Sequence, residues 1–252
     1  MLKVEGVCKS YKKGGLFSGA RQQVLFDIDF EWRRGECLGI IGESGSGKST
    51  LGRLLLGIER PDKGTVTYGG RMVAERGARR GAISAVFQDY TSSINPFYTV
   101  EQAVLEPLKL AGRAALQAQR QSPRDVVERL LRQVGLDASY MAKYPHELSG
   151  GEAQRVCIAR AISTGPACIV LDEAISSLDG SVQMQVLELL KRLKETLGVG
   201  YIFITHDIQA AAYLCDRVMI VKSGRIEELV EVERLNAVES PYARELLRKV
   251  MM

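Results

Sequence analysis

The chain has 252 residues, 46% of them hydrophobic and 25% charged, with a formal net charge of +4. That length can bury a substantial core, as one large domain or two small ones, and the composition is that of a soluble globular protein. So small a positive surplus does not point to nucleic acid, no apolar run reaches the roughly 18 residues that span a bilayer, and Met1 to Ser10 lacks the apolar core of a secretory signal.

Leu2, Val4 and Val7 suggest a first strand, followed by a polar insertion from Gly14 to Gln23. Phe26, Ile28, Phe30 and Trp32 then alternate with Asp27, Asp29, Glu31 and Arg33, the period of a strand with one buried face. Cys37 to Ile41 reads as a short buried strand, and Leu51, Leu54, Leu55 and Ile58 mark a helix. Between them lies Gly42-Glu43-Ser44-Gly45-Ser46-Gly47-Lys48-Ser49-Thr50. Two glycines, then Lys and Ser, at this spacing form a phosphate-binding pattern, and the flanking strand and helix are the context it needs. Glycines at 42, 45 and 47 let the backbone approach a ligand closely, and consecutive N–H groups make an anion nest at the helix start. Lys48 would meet the β- and γ-phosphates, and the Ser49 hydroxyl would join the shell of a Mg²⁺ ion.

Pro61 to Gly64 signals a turn before a strand at Thr65–Tyr68, and Ile83–Phe87 is another short apolar strand. Arg71, Arg76, Arg79 and Arg80 make a local basic stretch without interleaved aromatics, which reads as a solvated loop. From Val100 to Thr164 the period becomes helical. Ser122-Pro123 opens one helix, with Val126, Val127, Leu130, Leu131 and Val134 as its apolar face. Leu148-Ser149-Gly150-Gly151-Glu152 opens another, whose start is a second anion-binding terminus. Strands return at Ala167–Leu171, Tyr201–Thr205 and Arg217–Val221, separated by helices near Ser181–Leu197 and Asp207–Cys215. Asp172 and Glu173 sit at the carboxyl end of the first of these strands, where parallel α/β sheets bind ligands. Asp172 would hold Mg²⁺, and Glu173 would polarise the water that attacks the γ-phosphate. The five cysteines show no metal-ligand or redox spacing, and three lie in apolar runs as buried reduced thiols.

Two phosphate-binding termini in one chain suit a head-to-tail dimer, in which Ser149 of one subunit meets the γ-phosphate held by the other. The ordered set of phosphate loop, Gln88 after a strand, Leu148–Glu152, Ile169–Glu173, Ser177-Leu178-Asp179 and His206 after Thr205 resembles the ATP-binding cassette family across nearly the whole chain. The resemblance implies ATP and Mg²⁺ as ligands and a P-loop α/β core. That core would have a mostly parallel sheet, an antiparallel β subdomain and an inserted helical subdomain. Core and β subdomain would occupy 1–88 and 166–230, the helical subdomain 89–165 and a tail 231–252. It assigns γ-phosphate and metal sensing to Gln88, a contact with the opposite subunit to Asp179, the switch histidine to His206 and adenine stacking to Tyr11. His146 reads as structural. Glu152 stands where the family usually has Gln, and Ala174-Ile175 replaces Pro-Thr, a change expected to loosen that loop without removing a phosphate contact.

Phe87 to Pro96, with Asp89 after the glutamine and Ser93-Ile94-Asn95-Pro96 beyond it, resembles the peptide/nickel importer branch. Ser240-Pro241-Tyr242 resembles that branch's C-terminal His-Pro-Tyr motif, with Ser for His. Together with Asp172–Ser176 and the short tail, the set looks most like the second ATPase of nickel importers. The resemblance implies a peripheral subunit on the cytoplasmic face of the membrane. Its partners would be a second cassette, identical or homologous, two permeases docked on Asp89 to about Arg113, and an external substrate-binding protein acting indirectly. The alternatives are a di- or oligopeptide importer ATPase and a cassette ATPase unconnected with transport.

Overall fold

The computed structural model describes residues 1–12, 21–75, 81–89, 93–112, 119 and 121–248. In chain order the elements are β1 (Leu2–Lys12), β2 (Arg21–Trp32), β3 (Cys37–Ile41), α1 (Lys48–Leu55), β4 (Lys63–Tyr68), β5 (Arg71–Met72) and β6 (Ile83–Phe87). Helices α2 (Val100–Ala111), α3 (Pro123–Gln133) and α4 (Gly150–Ile162) follow, then β7 (Cys168–Asp172) and α5 (Gly180–Leu197). The chain continues with β8 (Gly200–Thr205), α6 (Ile208–Leu214), β9 (Arg217–Lys222), β10 (Arg225–Glu231) and α7 (Pro241–Arg248). It forms two units, Met1–Arg79 with Tyr201–Met252, and Arg80–Gly200.

In the first unit, β2, β1, β4 and β5 make an antiparallel sheet in that order. Strand β3 runs parallel to both β8 and β9, and β10 returns antiparallel along β9. Every residue of β3 is buried, as a strand covered on both faces requires, and its run of apolar side chains announces this. The alternation anticipated from Phe26 to Trp32 is interrupted. Asp27 takes a positive φ of 51°, and the register slips between Val7 opposite Ile28 and Lys9 opposite Leu25. This bulge moves Leu25 into the core and leaves Phe26 half-buried beneath the Arg225 guanidinium. Arg21 to Gln23, expected in the polar insertion, instead extend β2, while 14–20 lie outside the described residues. So do Arg76, Arg79 and Arg80 of the basic stretch.

Trp32, the sole tryptophan, is fully buried at the end of β2. Its indole N–H points at the carbonyls of Glu36 (2.9 Å) and Tyr201 (3.0 Å). Tyr201 pairs with Cys37 in register, so the antiparallel sheet is fastened where β3 and β8 begin. Asp216 adds to this, accepting from the Cys37 N–H at 2.7 Å.

The second unit contains the parallel pair β6 and β7 and the helices between and after them. Ser122 caps α3 by accepting from the Asp125 N–H, with Pro123 in the first turn, and the five expected apolar residues are buried. Thr99 caps α2 in a reciprocal box with Gln102. Arg160 of α4 reaches Glu106 of α2 and the Ser93 carbonyl, tying the helices together. Four of the five cysteines are buried and all are free thiols, with Cys8 partly exposed.

Replacing Trp32 with Phe should cost about 1–3 kcal/mol for the lost indole bond, plus a smaller cavity contribution. Urea denaturation followed by circular dichroism measures this, and a loss below about 0.5 kcal/mol would remove the indole bond from the account.

Candidate nucleotide-binding and hydrolysis site

Strand β3 delivers the loop 42–47 to its carboxyl edge, and α1 departs from it. Gly42 has a φ of 156°, and a Cβ there would lie 2.2 Å from the Val221 carbonyl oxygen. Gly47, at φ 102°, precedes α1, and its Cβ would press on Leu25 and the Val24 carbonyl. Both positions exclude any side chain, so the loop runs flush against β2 and β9. Lys48 is buried, and its Nζ donates to the carbonyls of Gly42 (2.7 Å) and Glu43 (3.0 Å). The Gly224 N–H donates to the Ser46 carbonyl at 2.9 Å, securing the loop from the β9–β10 turn.

The first turn of α1 has no acidic residue, so the positive end of the helix faces the loop uncancelled. Glu43, Ser44, Gly45 and Ser49 are exposed, whereas Ser46 and Thr50 are buried. The Ser46 hydroxyl has no hydrogen-bond partner. A rigid loop, a lysine drawn back along it and an uncompensated helix start suit an anion carrying several oxygens.

Ile41 pairs with Thr205 in the parallel ladder. Gly42 and His206 therefore leave the sheet side by side, at the same edge. His206 is exposed, and the next residue, Asp207, caps α6 through the Ala210 N–H. Tyr11 lies near the end of β1, with its hydroxyl donating to Glu59 (2.6 Å) and accepting from Arg53 of α1 (3.2 Å). The Lys9 ammonium stands 5.5 Å from its ring centroid.

In the second unit Phe87 pairs with Asp172, so Gln88 and Glu173 emerge together from the carboxyl ends of β6 and β7. Glu173 has a left-handed backbone, φ 51°. A non-glycine residue held there stores about 1–3 kcal/mol of strain, a cost characteristic of functional positions. Ser176 compensates through its N–H (3.2 Å) and its hydroxyl (2.9 Å), both donated to the Glu173 carbonyl. Ala174 and Ile175, expected to loosen this loop, are buried, and the Ile175 carbonyl accepts from Gln183 Nε2 and the Leu178 N–H.

Ser149 caps α4 and is exposed. Its N–H and its hydroxyl both donate to Glu152 Oε2 at 2.8 Å, and the Glu152 N–H donates back. The Ser-x-x-Glu spacing is itself a capping-box signature, so Glu in place of Gln keeps the box. Tyr140 donates its hydroxyl to the same carboxylate, a contact with no sequence signal. That bond foremost, followed by those from Ser149, brings Glu152 down to about 2. Gly151 faces Val182, 2.7 Å from where a Cβ would stand. The start of α4 thus lies against the start of α5, which Asp179 caps through Ser181 and Val182. Sequence reasoning missed Ser176, whose partner Glu173 is local, and Gln183 and Tyr140, whose partners come near only on folding.

The ABC transporter family pattern matches residues 25–176. The metal-staphylopine import system ATP-binding protein CntF of Staphylococcus aureus is 50% identical over 253 residues, covering 99% of this chain and 98% of that protein. The nickel import ATP-binding protein NikE of Rhodospirillum rubrum is 41% identical, covering 100% and 91%. A dimeric ATP-binding cassette solved in a post-hydrolysis state with ADP and Pi superposes with a TM-score of 0.80 at 29% identity, over 92% of this chain and 99% of that one. The chain belongs to the ATP-binding cassette family and is an ATPase. Among the described residues no helix is long and apolar enough to cross a membrane.

Because folding lowers the Glu152 carboxyl below its ordinary 4.5, its contribution to stability is complete above that pH and disappears as pH falls through about 2. A carbon-detected NMR titration should show the Glu152 inflection near 2, moving toward 4.5 when Tyr140 is replaced by Phe. An inflection near 4.5 in the unaltered chain would break the assignment.

Proposed function

We propose that this chain is the ATP-hydrolysing subunit of an importer for a metal ion or metal chelate, in the nickel/peptide branch of its family. The observation that carries the reading is the half-identity, end to end, with an ATP-binding protein of a metal-staphylopine import system. The importer's selectivity would reside in permeases and an external binding protein, and this subunit would supply work from its peripheral place on the cytoplasmic face.

In this reading the segment Glu43 to Thr50 cradles the phosphates of ATP and Lys48 neutralises the β- and γ-oxygens, with Tyr11 against the adenine. Ser49, Gln88 and Asp172 offer only oxygen donors, the chemistry that Mg²⁺ takes. When bound there, the ion would screen the charge of the phosphate oxygens. Glu173 accepts a proton from the attacking water, and its strained backbone fixes the carboxylate before substrate arrives. His206 and Gln88 hold the γ-phosphate and its nucleophile in line.

Ser149, Gly150 and Gly151 form a helix start, which we assign to the γ-phosphate bound by a second cassette. Asp179 caps the adjoining helix at that interface. Two subunits then complete two sites, and turnover at one separates both. Exposed Phe97, just beyond Ser93-Ile94-Asn95-Pro96, suits a permease-facing surface. Tyr90 to Ser92 of that motif lie outside the described residues.

Lys48→Ala should weaken ATP binding about 10- to 150-fold, through loss of charge-assisted bonds to phosphate. Calorimetric titration measures this, and unaltered affinity would refute the loop assignment. Glu173→Gln should bind ATP normally yet hydrolyse it at least about 10²-fold more slowly in the assembled transporter. Wild-type turnover would take Glu173 out of catalysis. In cells lacking the gene, uptake of radioactive nickel, free or chelated, should fail and return with the intact chain but not with Glu173→Gln. If peptide uptake alone depends on the gene, the oligopeptide reading replaces the metal one.

A further inference from the structure

We propose that Tyr242, in the C-terminal Ser240-Pro241-Tyr242 segment, is a positioning residue that braces the phosphate loop for ATP, an inference that rests on the loop assignment above. Tyr242 is 8% exposed, and its hydroxyl accepts from the Glu43 N–H at 3.4 Å. The Glu43 carbonyl in turn accepts from Lys48 Nζ at 3.0 Å and from the Ser46 N–H at 3.2 Å. One loop residue is therefore gripped on both sides, by the C-terminal helix and by the lysine that meets phosphate.

The ring of Tyr242 is held as well. Lys222, the last residue of β9, places its ammonium 4.4 Å from the ring centroid. Strand β9 is the one whose Val221 carbonyl abuts Gly42, and the turn after it donates from Gly224 to Ser46. Helix α7 is anchored upstream. The N–H groups of Glu239 and Ser240 both donate to Glu228, the Ser240 hydroxyl donates to Glu227, and Arg244 Nε donates to the Val238 carbonyl. Its own Ala243 and Leu247 are buried. A ring needed for packing alone could be phenylalanine, whereas this hydroxyl reaches a backbone group of the loop itself. Affinity for an anion held by backbone N–H groups depends on those groups being oriented beforehand, and a tether on Glu43 supplies that restraint.

Tyr242→Phe keeps the ring, the lysine above it and the packing of α7, and removes only the hydroxyl. In the full-length chain it should weaken binding of Mg-ATP about three- to tenfold by calorimetry, an effect suited to one long hydrogen bond. The Glu43 amide should exchange faster with solvent, while the melting temperature without nucleotide stays within about 2 °C of the parent. Lys222→Met, which retains the alkyl stem, should weaken binding in the same direction by releasing the ring. Unchanged ATP affinity in Tyr242→Phe, or a loss matched by general destabilisation, overturns the brace. If Lys48→Ala also binds ATP normally, the fault lies with the loop assignment; if Lys48→Ala fails to bind and Tyr242→Phe binds as the parent does, the brace alone is wrong.

Discussion

A loop that binds phosphate through its backbone has to leave N–H groups unspent and yet hold one conformation. Those requirements conflict, because the ordinary way to fix a backbone is to satisfy its N–H groups internally. Here the loop is fixed largely through its carbonyls and by close packing. Lys48 takes the oxygens of Gly42 and Glu43, Gly224 takes that of Ser46, and Gly42 and Gly47 lie too near neighbouring strands to accept a side chain. The first turn of α1 carries no acidic side chain to compete with an anion there.

The second unit meets a comparable demand by different means. Glu173 is forced into a left-handed backbone, which only a surrounding set of bonds can hold. Ser176 supplies two of these to its carbonyl, and Ala174 and Ile175, which follow, are buried. At the start of α4 a negative charge sits beside the positive end of the helix. Tyr140 and Ser149 turn the Glu152 carboxylate inward on the cap, so it serves the helix start.

Register carries the positional information. Because β3 and β8 are parallel and pair Ile41 with Thr205, the loop and His206 share an edge without any contact between them being required. Pairing of Phe87 with Asp172 does the same for Gln88 and Glu173. In each pair, residues far apart in the chain thus leave their strands side by side through a parallel hydrogen-bond ladder.

Much of this was legible in the residue order. The strands at 37–41, 83–87 and 168–172, the caps at Ser122 and Ser149, and the phosphate loop all carry local signals: apolar runs, Ser before a helix, glycines at fixed spacing. Where the reading failed, the deciding contact was remote. The slip at Asp27 that buries Leu25 in place of Phe26 depends on pairing with β1, and β10 alternates too weakly to declare itself before β9 is beside it. Ser240-Pro241-Tyr242 could be matched to a family motif, but its contact with Glu43, 199 residues away, could not. Local chemistry determined the glycine-rich loop before α1 and the acids at the end of β7, because turns, caps and periodicity act over a few residues. Only the tertiary structure decided what braces them, since those partners come from chain segments whose separation the sequence does not encode.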